Sequence, residues 1–266
     1  MAAPLTAALT AAVWLSGAAA SAQTSTYKAP RAADGRPNLN GIWQTISEAY
    51  CDVEPHAASP GPVPALGAAG AIPPGIGIVE GGRLPYQPAA AEQKRKNFEN
   101  RLALDPEIRC YLPGVPRAMY MPYPFQIIQT PKYIMLIHTY ARAVRTIYMD
   151  DHTEAPADSW LGWSNGRWEG ETLVVETAGF NGMAWFDRSG NFHSEALRVV
   201  ERFTATSPDH LLYEATIEDP KTFTRPWKIS LPIYRRLESN AQLLEFRCVE
   251  FAEDIIYGHL RKQPTQ

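Results

Sequence analysis

Residues 164–177, Ser-Asn-Gly-Arg-Trp-Glu-Gly-Glu-Thr-Leu-Val-Val-Glu-Thr, constrain the fold more than any other stretch of this chain. Asn165-Gly166 is a dipeptide favoured in type I′ hairpin turns, where both central residues need a positive φ. The Thr-Leu-Val-Val-Glu-Thr behind it is β-branched and apolar, as a strand requires. A tight hairpin at 165–166 feeding a strand at 169–177 is therefore expected. Comparable segments mark strands at 41–45, 124–130, 132–138, 142–149, 196–204, 210–218, 224–233 and 241–251. Many short strands broken by turn signals describe an antiparallel sandwich or barrel, and no internal repeat suggests a propeller.

Alternation assigns the faces. Leu211, Tyr213, Ala215 and Ile217 share one side of their strand, and Leu244, Phe246 and Cys248 share one side of the last. Two strands break the pattern. Glu201 falls on the face of Leu197, Val199 and Phe203, and Arg145 on that of Ala143, Ile147 and Met149. An unpaired buried charge is strongly disfavoured, so these two either pair with each other or await a ligand. Glu176, on the face of Thr172 and Val174, is a weaker third case.

The remaining segments set the boundaries. Residues 1–22 read as a secretory signal peptide, with an Ala-rich apolar core and an Ala20-Ser21-Ala22 cleavage site before Gln23. No Lys or Arg precedes Lys28, which leaves only the α-amino group as n-region charge. Residues 23–40 read as a linker and 41–266 as one barrel-like domain. A long irregular excursion, rich in Pro, Gly and Ala, spans 52–87, and with one helix at 89–104 it makes a 52–109 insertion. Asp105-Pro106 stops that helix. Three cysteines in an exported chain imply one disulfide and one free thiol; Cys110 could bridge to Cys248 or to Cys51. A net charge of −3 gives no electrostatic argument for nucleic acid, and no segment after the signal is apolar enough for membrane insertion.

Several stretches resemble a large family of exported bacterial proteins. They are residues 34–43 (Asp-Gly-Arg-Pro-Asn-Leu-Asn-Gly-Ile-Trp), 110–117, 145–150 and the Gly-Arg-Trp-Glu-Gly core with its Thr-Leu-Val-Val extension. His193-Ser194-Glu195 with Glu201-Arg202, Asp219-Pro220 and Pro226-Trp227 extend the match over most of the mature chain. The resemblance implies common descent and export, and no particular reaction. More loosely, Gly41-Ile42-Trp43 is similar to the Gly-x-Trp that opens lipocalin-like (calycin) barrels, which implies a barrel wide enough for one small ligand.

Candidate chemistry follows from these placements. His193, in the loop ahead of the Glu201 strand, has the side chain best suited to proton transfer near neutrality, or it hydrogen-bonds its own loop. Asp187 would orient it at the barrel mouth, or cap a turn in Asp187-Arg188-Ser189-Gly190. Trp163, Trp168, Trp185 and Trp227, with Tyr148, would line a pocket for a hydrophobic or aromatic molecule, or serve as core. Asp150-Asp151-His152-Thr153-Glu154 falls in a turn and lacks metal-ligand spacing, while His138 and His210 read as structural. There is no nucleophile elbow, phosphate loop, dinucleotide fingerprint or Cys-x-x-Cys pair, so no metal or cofactor is expected. The expectation is cofactor-free acid/base chemistry in a barrel cavity (a lyase, isomerase, cyclase or hydrolase), with Glu201, Arg145, His193 and Asp187 as its polar groups. Its alternatives are a non-catalytic periplasmic binding protein or an accessory subunit docking through 52–87.

Overall fold

A computed structural model describes residues 27–150 and 153–261; the expected signal peptide and the Asp151-His152 pair lie outside them. Nine strands close into one barrel, each beside the next in sequence. They are β1 Gly41–Gln44, β2 Phe125–Gln129, β3 Tyr133–His138, β4 Val144–Tyr148, β5 Trp163–Glu169, β6 Thr172–Ala178, β7 Arg198–Ser207, β8 His210–Glu218 and β9 Trp227–Arg235. β9 returns to β1, so the mainly β, closed-barrel expectation holds. One neighbouring pair departs from antiparallel pairing. β4 and β5 run parallel over a short register, Ile147 with Ser164 and Tyr148 with Asn165.

The Asn165-Gly166 hairpin is corrected. Both residues lie inside β5, opposite Glu176 and Val175, and the chain turns instead at Gly170-Glu171, with Glu169 opposite Thr172. Gly170 takes φ 60°, the positive value a two-residue type II′ turn needs at its first central position. Gly166 is small for another reason. A Cβ there would lie 2.6 Å from both Ile147 Cγ2 and Met149 Sδ, so glycine is what lets β5 approach β4 across the parallel seam. Two strands thus occupy the region where one was expected. The strand expected at 241–251 does not form: the end of β9 pairs with β1, and the excursion takes the rest of its edge.

β1 is short and leaves the first half of β9 without a neighbour on that side. The excursion supplies one. Val79 bridges Ile229, Glu80 N–H donates to Lys228 O at 2.9 Å, and Ser230 N–H donates to Ile78 O at 3.1 Å. Thr224 N–H continues the contact to Pro85 O at 2.8 Å. An exposed edge is covered by irregular chain. Residues 30–40 are likewise not a free linker. Leu39 is fully buried, and the Gln129 side chain accepts from Leu39 N–H at 3.0 Å and donates to Pro37 O at 3.1 Å.

The expected helix divides at Asn100 into α1 Pro88–Glu99 and α2 Arg101–Leu104, ending before Asp105-Pro106 as the sequence requires. After β9 the chain runs to a short helix, α3 Ala252–Tyr257, held by a Cys110–Cys248 disulfide; Cys51 is free. The interior of the barrel is filled by side chains, among them Trp43, Phe125, Phe203, Tyr213 and Ile229, all buried. Among the described residues no helix is long and apolar enough to cross a membrane.

Candidate functional site

Strand alternation turns Arg145 of β4, Ser164 of β5, Thr177 of β6, Glu201 of β7 and Tyr213 of β8 into the barrel, where all five are buried. They form a polar stripe across five consecutive strands. Arg145 donates from Nη1 to Glu201 Oε1 at 2.9 Å and from Nη2 to Glu201 Oε2. Its Nε reaches Ser164 Oγ at 2.9 Å, and Nη2 also reaches Thr177 Oγ1 at 2.7 Å. Tyr213 OH donates to Glu201 Oε1 at 2.9 Å. Each charge has its opposite and each oxygen of Glu201 accepts, which is the condition under which a buried ion pair is tolerated. The stripe also straddles the parallel β4–β5 seam, the shortest ladder on that side of the barrel. His138, on β3 near it, is buried with no protein partner at Nε2. Burial and then the Arg145 guanidinium push its pKa down to about 3, so the ring is neutral at pH 7.

A second buried network lies outside the barrel, on irregular chain. Arg117 is fully buried and donates to Asp105 Oδ1 at 3.0 Å, Asp105 Oδ2 at 3.2 Å and Glu107 Oε2 at 2.6 Å. Arg188 binds the same Glu107 with two bonds, Nε to Oε2 at 2.8 Å and Nη2 to Oε1 at 2.7 Å. Burial pushes Glu107 up, but the two guanidiniums outweigh it and hold its carboxyl below the usual range. Asp187 is enclosed beside this network. Its Oδ2 accepts from Val53 N–H at 2.9 Å and Asn191 Nδ2 at 2.6 Å, and its Oδ1 from Ser189 N–H at 2.9 Å and Asn191 N–H at 3.2 Å. Those four donors favour the ionised form. Burial and then the nearby Asp52 carboxylate oppose them and push Asp187 up to about 7. Asn191 Nδ2 touches Asp52 Oδ1 as well, at 3.2 Å. The 187–191 loop docks on α1 through Gly190, whose φ is 82° and whose Cβ, were there one, would lie 2.8 Å from Phe98 N.

Sequence reasoning missed Asp105, Glu107, Arg117 and Arg188. They sit in short turns and Pro-rich loops where no period marks an inward face. Only the density of ionisable residues around the helix stop and Cys110 signalled Asp105, Glu107 and Arg117, and nothing in that stretch signalled Arg188.

The remaining candidates disperse. His193 is buried, not at a solvent-facing mouth; its Nδ1 lies 2.8 Å from Ser194 O, between the rings of Phe180 and Phe186. Burial lowers its pKa. No hydrogen bond links His193 to Asp187 or to Glu201. Asp187 instead caps its own turn and pins the chain at Val53. Trp163 stacks on Tyr148 at 4.3 Å, both on outward positions of their strands. Trp227 packs in the barrel end against Phe186 and Phe223, Trp185 is buried beside Phe192, and Trp168 lies against the core. No ring contact joins any two of these tryptophans. Glu176 faces outward and pairs with Arg167 and Arg198.

The open space lies outside the barrel. A cleft of about 710 Å³ separates the excursion from the helices. Its apolar walls include Val63, Leu66 and Ile72 of the excursion, Phe98 and Leu102 of α1 and α2, and Tyr257 of α3; Asp52, Arg101 and Arg188 are among its charged groups. That volume is in the range of small-molecule sites. A smaller cavity of about 200 Å³, lined by Tyr123, Tyr140 and Phe246, adjoins it through Ile108 and Arg188. The Cys51 thiol borders the cleft, and burial raises its pKa, which opposes a nucleophilic role. Among the described residues no group of three or more His, Cys, Asp or Glu is placed to hold a metal ion. Compared with known proteins, the chain matches no family model and no curated protein.

Proposed function

We propose that this chain is an exported binding protein for a small, largely apolar molecule, and that the ligand occupies the cleft between the excursion and the helices. The observation that carries the reading is the cleft itself: a space of about 710 Å³ walled by apolar side chains from three separate parts of the chain. The barrel interior, by contrast, is packed with large side chains. Binding is favoured over turnover by how the ionisable groups are engaged. Glu201 is held by Arg145 and Tyr213, Asp187 by four N–H donors, and neither lines the cleft. Export is supported by the signal-like leader and by the Cys110–Cys248 bridge, since disulfides persist in oxidising compartments.

The neutral fluorophore N-phenyl-1-naphthylamine tests the site. Its emission should rise on binding to the wild-type chain, and a cleft-filling Leu102→Trp or Leu66→Trp substitution should weaken binding about tenfold or more, the effect of losing roughly 1.4 kcal/mol of contact. Equal binding by wild type and both tryptophan variants, or none by the wild type, would remove the cleft as the ligand site.

A further inference from the structure

We infer that the ligand of this cleft carries a single negative charge on an apolar body, and that Arg101 is its anchor. The inference rests on the cleft reading and specifies the ligand's chemistry.

The charged groups around the cleft differ in what they already hold. Arg188 is engaged by Glu107 and Glu253, and Asp105 by Arg117. Among the described residues Arg101 makes no ion pair. Its guanidinium lies 4.2 Å over the Phe98 ring and donates one hydrogen bond, Nη1 to Phe98 O at 2.8 Å. A guanidinium offers five N–H donors in a fixed fork, and Arg101, a residue of the cleft wall, spends one of them on the hydrogen bond to Phe98 O. Stacking on Phe98 and the bond to its carbonyl fix where that fork points, and orientation fixed before binding lowers the entropic cost of using it. Burial lowers the Arg101 pKa with no carboxylate beside it to raise it again, which is consistent with an anion site left empty by the protein's own groups.

The matching group on a ligand is a singly charged planar or tetrahedral oxyanion, a carboxylate or a sulfonate. Leu102, Phe98 and Leu66 place apolar surface next to that anchor, so the charge sits at one end of an apolar skeleton. Asp52 limits the charge to one. It lines the same cleft, accepts from Asn191 Nδ2 and from Glu54 N–H, and pairs with no cation among the described residues, so a second negative group near it would be repelled. A hydroxyl or amine donor is what suits that side.

Two fluorophores of the same skeleton make the test, using the full chain. N-phenyl-1-naphthylamine is neutral; 1-anilinonaphthalene-8-sulfonate adds one sulfonate. The sulfonate is expected to bind the wild type about tenfold more tightly, as one charge-assisted hydrogen-bonded contact allows. Arg101→Gln should abolish that preference, weakening the sulfonate about tenfold more than it weakens the neutral probe, and Arg101→Lys should restore part of it. A preference that survives Arg101→Gln, or equal wild-type affinities for the two probes, overturns the anchor. The cleft reading survives either result, provided Leu102→Trp still weakens the neutral probe. If neither Leu102→Trp nor Leu66→Trp weakens either probe, the cleft reading fails as well. Phe98→Leu guards against a misfolded Arg101 variant: loss of the stack should reduce the sulfonate preference and spare the fold, and an unchanged preference counts against the anchor.

Discussion

The barrel interior and the layer of chain outside it each bury an arginine with carboxylates, yet the two networks are built differently. Inside, Arg145 meets one carboxylate, and three hydroxyls complete the set, each supplied by a different strand. Outside, Arg117 meets two carboxylates, and a second arginine, part-exposed Arg188, balances the charge. The inner network is buried and ties strands that regular pairing joins only weakly at the β4–β5 seam. The outer one ties irregular segments that have no ladder at all, and it borders the open cleft. Buried charge thus ties the barrel in one region and shapes the wall of a cleft in the other.

Removing one arginine from each network separates these roles. Arg145→Met leaves Glu201 buried without a cation, and should cost about 3–5 kcal/mol in denaturant unfolding, with cooperative loss of the whole barrel. The double variant Arg145→Met/Glu201→Leu should recover most of that, because Ser164 and Thr177 still hydrogen-bond each other at 3.1 Å. Arg117→Met should cost less, about 3 kcal/mol, since Glu107 keeps Arg188. Its damage should appear in hydrogen exchange at 101–117 and 187–191 while the strands stay protected. Equal, global loss in both single variants would mean the outer layer and the barrel are one cooperative unit.

The disulfide gives a smaller break in the same contrast. Cys110 and Cys248 are 138 residues apart, and the bridge holds the segment after β9 against the turn that carries Glu107. Reduction, or Cys110→Ser with Cys248→Ser, should cost about 2 kcal/mol. The exchange protection of 237–261 should fall first, and affinity for the neutral fluorophore should drop with it, because Tyr257 walls the cleft. A barrel that melts together with that segment would contradict the division into two regions.

The same contrast decided what could be read from the sequence. A period of two marks inward positions on a strand, and it placed Glu201 and Arg145 on the buried face before any coordinates; their pairing was one of two outcomes it left open. Most strand positions were legible too, but they left sandwich or barrel open, and only the resemblance at Gly41-Ile42-Trp43 pointed to the barrel. Asn165-Gly166 misled because a turn dipeptide is a local preference, while the close approach of β5 to β4 demands a small residue at 166 whatever the turn propensity. Outside the strands no period exists. Arg117, fully buried, looks in sequence like any loop arginine, and the cleft is made by chain segments some 150 to 200 residues apart, as Val63 and Tyr257 show. His193 and Asp187 were noticed for their residue types; only packing shows both enclosed and apart.

The finest test of the contrast is the pH dependence of stability, at most about 1.4 kcal/mol per pH unit for each group. His138 belongs to the barrel interior. Its pKa is about 3 in the fold against roughly 6.5 unfolded, so between those values the unfolded chain binds the extra proton. Its contribution is present above pH 6.5 and is lost as pH falls toward 3. Asp187 belongs to the outer layer and runs the other way. Its pKa is about 7 in the fold against roughly 3.9 unfolded, so the folded chain binds the extra proton. That contribution is present below pH 4 and is lost as pH rises through 7. Subtracting the stability of a variant from that of the wild type cancels the other titrating groups. Across pH 4–6.5 the difference should rise with pH for His138→Phe and fall with pH for Asp187→Asn. Calorimetry at four or five pH values reads both slopes. If Asp187 gave a rising slope, its four N–H donors would outweigh burial and Asp52, and the outer layer would hold a permanent carboxylate that would weigh against the proposed anion at Arg101.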